Sequence, residues 1–496
     1  MTPFDDSNRP GLWKKLFLGA FLVIFAAASA TSVAAFREID KVVDALDQNE
    51  DLKLGNQLAK SDPGKPQTIL LLGSDRRPDD ATDGGAGTGA RSDTIILVRL
   101  DPDRQATALM SLPRDLKVEI PGYGVDKINA AYSAGGPKLT LETVKQLTGL
   151  PINHVINVDF HGFQKAIDAI GCIYTDVDRR YYNDTAEFAY INIPAGYQQM
   201  CGDKALQYAR FRHEDSDLVR GIRQQDLLRD AKQQVGVGAL VDDRDKLLEI
   251  FGKYTTSDGA LKDRAELLRL LKLGLFSVGQ PIRHVKFEGG DVGITSGDAA
   301  AGVPSYVTAS DATVKKLAQQ FLGVEATKGP RGALKPKGRK RSPPQDSSAS
   351  GGLEKETTYG KDQAIQTIEQ GAGGDFPVYY PTVRVADSEY IGPPRVYKLV
   401  DGDGKRRRSY RMVLKRPYVG EYYGVQGTRW MDPPILDSPS EERTINGRKF
   451  ELHYEGDRLR LVAWRTPKAV YWVSNTLLQT LSEQQMIAIA RSTRLP

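Results

Sequence analysis

The chain has 496 residues, 40% of them hydrophobic and 26% charged, with a formal net charge of +5. That length allows two or three domains with real cores, and the proportions are those of ordinary soluble globular proteins. So small a charge on so long a chain excludes a generalised basic surface for nucleic acid, so any anion site must be local.

Leu16 to Phe36, LFLGAFLVIFAAASATSVAAF, carries no charge and matches the ~20 residues a helix needs to cross a bilayer. Lys14 and Lys15 on its short N-terminal side favour a cytoplasmic N-terminus. A single-pass anchor is expected, with residues 1–15 as a cytoplasmic tail. A cleaved signal peptide is the rival reading, because Ala28-Ser29-Ala30 and Val33-Ala34-Ala35 resemble cleavage sites. Either reading puts most of the chain outside the cytoplasm. Residues 37–64 are mixed and charged and read as a stalk.

Strands are expected at 67–75, 92–101 and 105–113, a helix at 139–149, a strand at 154–160 and a helix at 161–171. Further helices are expected at 202–213, 223–240, about 243–254 and 260–273, and a strand at 283–289. Strands alternating with helices predict an α/β fold, an αβα sandwich from about 65 to 325. The stretch TKGPRGALKPKGRKRSPPQDSSASGG reads as a disordered basic linker over 326–359. Residues 360–496 read as a separate small α+β domain, with turns at Asn446-Gly447, Gly456-Asp457 and Thr466-Pro467 and a closing helix.

Cys172 and Cys201 are the only cysteines. In an exported chain an even pair reads as a disulfide closing a loop of roughly 30 residues, a stabilisation of about 3–4 kcal/mol. Two buried free thiols are the alternative.

Three carboxylate–arginine groups fall at expected strand ends. Asp75 closes the first strand, Asp93 opens the second beside Arg91, and Arg114-Asp115 follow the third. Ligands of α/β sheets bind beside such ends. Two aspartates with open positions suit Mg²⁺. Arg210, Arg212, Arg220 and Arg223 then crowd into YARFRHEDSDLVRGIRQQ. Arginine's planar fork fits phosphate oxygens, and packed guanidinium groups repel unless an anion lies among them. Arg210 and Arg212, two apart, cannot share a helical face, which predicts helix distortion or a helix end there. The glycine-rich DGGAGTGA lacks the ending of a phosphate-binding P-loop and reads as a flap or a plain loop.

LLLGSDRR, RSDTIILV, SLPRD, KINAAYSAGG, VDFHGF, GDKALQYARFRH and DLVRGIRQQ occur in an order that resembles the LytR-CpsA-Psr family over about residues 66–240. The cysteine pair resembles that of its actinobacterial members. The resemblance implies a membrane-anchored extracytoplasmic phosphotransferase of the plasma membrane. Such an enzyme moves a glycopolymer from a polyprenyl-pyrophosphate carrier onto peptidoglycan. By the same resemblance Asp75 and Asp93 would hold Mg²⁺. Arg77, Arg91, Arg114, Lys127, Arg210, Arg212, Arg220 and Gln224 would line the pyrophosphate, with Asp93, Arg114 and Arg220 central to catalysis. Asp75, Asp93 and Asp115 remain open as the general base. A pyrophosphate hydrolase or a non-catalytic polyprenyl-phosphate binder would use the same residues. No nucleic-acid partner is expected.

Overall fold

The computed structural model describes residues 51–496 except 75–91, 186–189, 212–215, 235–249, 251–252, 279, 281, 288–290, 296–304, 324–351, 357 and 457. Its first half is built on a six-stranded mixed sheet in the order β11-β6-β1-β2-β3-β12. These strands are β1 (Gln67–Ser74), β2 (Ser92–Asp101), β3 (Ala106–Ser111), β6 (His154–Asp159), β11 (Thr255–Ser257) and β12 (Ile282–Val285). The chain between them adds the hairpin β4 (Lys117–Ile120) and β5 (Gly124–Lys127), the ribbon β7 (Ile173–Val177) with β10 (Gly196–Met200), and the hairpin β8 (Tyr181–Asn183) and β9 (Ile191–Ile193). β1 and β6 run parallel, as do β3 and β12, while β2 is antiparallel to both its neighbours.

Alternation along β1 explains why both sheet faces are covered. Leu70 and Leu72 pack into one core with residues of helices α1 (Ala130–Thr148) and α6 (Asp311–Leu322), including Val144 and Phe321. Ile69 and Leu71 point the other way. Ile69 meets Leu273 of α5 (Arg264–Val278), and Leu71 lies with Leu228 of α4 (Asp217–Gln234). The outcome is a mixed α/β fold with helices on both faces of the sheet. Two more helices, α2 (Phe160–Ala169) and α3 (Gly202–Arg210), pack on each other so closely that a Cβ at Gly202 would fall 2.3 Å from the Gln164 carbonyl oxygen. Cys172 and Cys201 form a disulfide that ties the end of α2 to the start of α3.

Two expectations change here. Residues 51–64 are no stalk helix: Asp51 bridges to Ser257, Leu54 enters the main core, and the Ala59 amide donates to the Ile152 carbonyl at 2.8 Å. Leu54 and Leu58 are spaced as on a helix, yet they serve as plugs for a preformed surface. Residues 353–355, assigned to the linker, pair with 383–385 and belong to the C-terminal unit. Among the described residues no helix is long and apolar enough to cross a membrane, and Leu16–Phe36 lies outside them.

Residues from 353 onward form an eight-stranded antiparallel sheet, closed by helices α7 (Tyr359–Glu369) and α8 (Glu483–Arg491). Asn446 and Gly447, both at positive φ, make the two-residue turn between Glu441–Ile445 and Arg448–Glu455. The Ser482 side chain and Gln485 form a capping box that starts α8. Tyr410, Tyr423, Trp464 and Tyr471 are core residues here.

This unit is not merely tethered to the first. Arg411, fully buried, donates to both oxygens of Asp176 at 3.2 Å, and Gln426 and Trp472 donate to the same carboxylate. Tyr197 of β10 packs with Trp472, Leu461 and Leu436. Glu455 is the hub of a second buried cluster: Arg229 at 3.0 Å, His284 at 2.6 Å and Lys286 at 3.6 Å. Burial pushes the Glu455 carboxyl up, but His284, Lys286 and Arg229 outweigh it and hold it well below the usual carboxylate range. Removing one partner of such a buried pair costs about 3–5 kcal/mol, because the other charge stays buried alone.

His453 supplies a pH test of the C-terminal sheet. Burial, with Arg460 and Arg465 nearby, pushes its imidazole down to about 3. The unfolded chain protonates this group near its ordinary value of 6.5, so its contribution is intact above that pH and is lost as pH falls toward 3. Urea unfolding of the wild type should lose about 1.4 kcal/mol per pH unit more than His453→Gln between about pH 6 and 4. Equal slopes for the two proteins would contradict the assignment.

Candidate active site at one edge of the sheet

Register decides which residues share an edge. Ser74 pairs with Ser92 on one side and with Asp159 on the other. Ser74 precedes Asp75 in the chain and Ser92 precedes Asp93, so the two strand ends expected to carry the acids are direct neighbours. Ser111, the last residue of β3, pairs with Ile96, and Val285 of β12 pairs with Met110. The ends of β6, β1, β3 and β12 and the start of β2 therefore form a single edge.

Cationic side chains reach this edge from both flanks. Arg114, three residues past Ser111, is 6% exposed and lies 3.7 Å from the Asp115 carboxylate. Lys127, at the end of β5, approaches the same carboxylate at 3.1 Å. Two residues assigned to the pyrophosphate are thus brought together, with Asp115 between them. Its two cationic neighbours make Asp115 a brace for them. Arg220, 4% exposed, lies on the first turns of α4. The neighbouring Gly221 allows that placement, since a Cβ there would fall 2.9 Å from Ser111 Oγ. The absence of a side chain at this position lets helix α4 lie directly against the Ser111 hydroxyl at the end of β3.

On the opposite flank α3 stops at Arg210, as expected from the two-residue spacing, and Phe211 turns extended. The exposed Arg210 guanidinium stacks over the Phe160 ring at 4.3 Å, immediately past β6. Three strand spacings of ~4.8 Å separate β6 from β3, so the two cationic flanks stand about 14 Å apart, with β1 and β2 between.

Arg223, of the same arginine-rich stretch, and Gln224, expected at the pyrophosphate, both make contacts to the end of α3. Arg223 is fully buried, donates to the Phe211 carbonyl and stacks on Tyr181 at 4.7 Å, joining α4 to the end of α3. Gln224 is buried, and its amide donates to the Ala209 carbonyl at 3.3 Å. Both hold the helices that carry Arg210 and Arg220. Asp75, Arg77, Arg91, Arg212 and the flap at 83–90 lie outside the described residues, as does the Asp93 side chain.

Sequence reasoning overlooked Asp159. It sits on the same edge, opposite Ser74, and caps α2 by accepting from the Gly162 amide at 2.6 Å. Burial raises its carboxyl above the ordinary value, opposed by that hydrogen bond. The VDFHGF motif contains the signal, an aspartate three residues before the glycine whose amide it accepts. Ser74 adds a further polar atom: its Oγ is buried with no hydrogen-bond partner among the described residues. An orphaned hydroxyl beside two aspartate-bearing strand ends fits a hydrated divalent cation, whose waters need acceptors and donors.

A mixed sheet clad by helices, with Arg114 and Lys127 on one flank of its edge and Arg210 on the other, defines an α/β protein with a locally cationic strand-end edge. Comparison with known proteins identifies the family. The model of the LytR_cpsA_psr family matches residues 29–317, more than half of the 496-residue chain, and the chain belongs to the LytR-CpsA-Psr family. A polyisoprenyl-teichoic acid–peptidoglycan teichoic acid transferase TagU of Oceanobacillus iheyensis is 32% identical over 326 residues, 63% of this chain and 94% of that protein. The TagU of Bacillus cereus is 34% identical over 212 residues, 42% of this chain and 65% of that protein's length. The crystal structure of B. subtilis TagV matches with 26% identity and a TM-score of 0.42, over 52% of this chain and 96% of that one.

The close approach of α4 to β3 is testable. Gly221→Ala should destabilise the protein by about 1–3 kcal/mol in chemical denaturation through overpacking. Ser111→Ala in the same chain should recover more than half of that loss. Strict additivity of the two substitutions would rule out the contact.

Proposed function

We propose that the chain is a membrane-anchored extracytoplasmic phosphotransferase that moves a glycopolymer from a polyprenyl-pyrophosphate carrier to peptidoglycan. The observation that carries this reading is the gathering of Arg114 and Lys127 about Asp115 on one flank of the sheet edge, beside the helix that bears Arg220, with Arg210 on the other flank. Family membership and the printed activity of the TagU relatives support it. The anchor is Leu16–Phe36, and the plasma membrane is the site of action.

In this reading a hydroxyl of the peptidoglycan acceptor attacks the polymer-linked phosphorus of the carrier. A phosphodiester forms, the P–O–P bond breaks, and polyprenyl phosphate leaves. The diphosphate bond already stores the needed energy, so no nucleotide takes part. Phosphoryl transfer asks the protein for positioning and for stabilisation of charge spread over the phosphoryl oxygens. Arg114 and Arg220 supply fixed donors on the β3 side, and Arg210 supplies a further charge near β6. Asp115 holds Arg114 and Lys127 in place. Asp75 and Asp93 would hold Mg²⁺, which when bound neutralises phosphate charge. The proton of the attacking hydroxyl needs an acceptor, and Asp159, with its raised pKa and edge position, joins Asp75 and Asp93 as a candidate.

The test incubates the full-length chain with Mg²⁺, a lipid-linked glycan donor and peptidoglycan oligomers. Covalent glycan–peptidoglycan product is expected. Arg220→Ala and Asp93→Ala should each lower coupling at least 100-fold while the thermal transition stays within a few degrees. Release of lipid phosphate without coupled product would make the protein a hydrolase, and binding with neither product would make it a carrier protein. Full activity of either variant would remove that residue from the site.

A further inference from the structure

The C-terminal unit touches the site helix on both sides of its arginine. Val219 and Ile222 of α4 are buried against Leu477. The turn at Gly420, which has positive φ, comes so near that a Cβ there would lie 2.3 Å from Val219 Cγ2. At 3.6 residues per turn, positions 219 and 222 share one side of the helix, 221 faces another, and 220 falls on a third. Gly221 meets Ser111 of the sheet. Helix α4 is therefore held between the sheet edge and the C-terminal unit, and that grip sets where Arg220 lies.

A second grip lies nine residues further along, about 14 Å down the helix axis. Arg229 pairs with Glu455 of the C-terminal sheet at 3.0 Å, and Gln479 donates to the same carboxylate at 2.6 Å. His284 of β12 reaches Glu455 at 2.6 Å, so the hub also fixes the sheet's outer strand. Two contacts a fixed distance apart stop both sliding and rotation of α4. The first of them lies beside Arg220 itself.

We infer that the C-terminal unit is a positioning element of the active site, with Leu477 and Glu455 as positioning residues that fix helix Asp217–Gln234 and with it Arg220. The inference rests on the proposed function only for the consequence in anion binding. Its mechanical content stands on the contacts alone.

The test uses the full-length chain with Leu477→Ala, Leu477→Met and Glu455→Gln. Amide hydrogen exchange is read over residues 217–224, and affinity for inorganic pyrophosphate by calorimetry. Leu477→Ala and Glu455→Gln should each raise exchange in 217–224 at least tenfold while strands Gln67–Ser74 and Ser92–Asp101 keep wild-type protection. The pyrophosphate Kd should rise at least fivefold, and Leu477→Met should restore both readouts. Wild-type exchange and Kd in Leu477→Ala would overturn the inference, and that variant decides alone where Glu455→Gln fails to fold. Were the wild type to bind no pyrophosphate, the proposed function would fall, and exchange in 217–224 would still decide this inference.

Discussion

The structure depends on how closely one helix can approach the end of one strand. Helix Asp217–Gln234 carries Arg220, and it reaches the sheet edge because Gly221 leaves room for Ser111. A Cβ at 221 would crowd the Ser111 hydroxyl at 2.9 Å. Burying the Arg114 guanidinium is electrostatically costly in a medium of low dielectric. The cost is tolerable only with negative charge close by, and Asp115 supplies part of it on the strand side.

The remaining parts of the fold read as supports for that approach. The disulfide and the Gly202–Gln164 contact fix α3 on α2, so that the helix ends at Arg210 beside Phe160. Arg223 and Gln224, drawn from the same arginine-rich stretch, bond to carbonyls at the end of α3. The acid hub at Glu455 then holds the far end of α4 against the second sheet. The cationic edge and the buried ion-pair cluster around Glu455 thus hold one helix at two points along its length.

Much of this was legible in residue patterns. The unbroken apolar runs Ile69–Leu72 and Ile95–Val98 mark the strands, because burial on both faces leaves few other options. The spacing of Arg210 and Arg212 marked the helix end. Less visible was anything that depends on which elements meet. Arg223 and Gln224 look like ligand residues in a one-dimensional motif, yet their neighbours 209 and 211 lie within reach across a helix–helix contact. Leu54 has the look of a stalk residue until the core it plugs exists. Docking of the C-terminal unit was hidden for a similar reason: Glu455, Asp176 and Arg411 are ordinary surface-type residues in the sequence, and only the meeting of two sheets buries them.

The central claim is that the cationic edge grips a lipid diphosphate. A crystal structure of the full-length chain with a polyprenyl pyrophosphate and Mg²⁺ measures this most directly. The account predicts the diphosphate at the ends of β1 and β3 and the start of β2, with the Arg114 and Arg220 guanidinium groups on its oxygens and the cation between Asp75 and Asp93. A diphosphate bound elsewhere, or one bound at the edge with both arginines turned away, would contradict it.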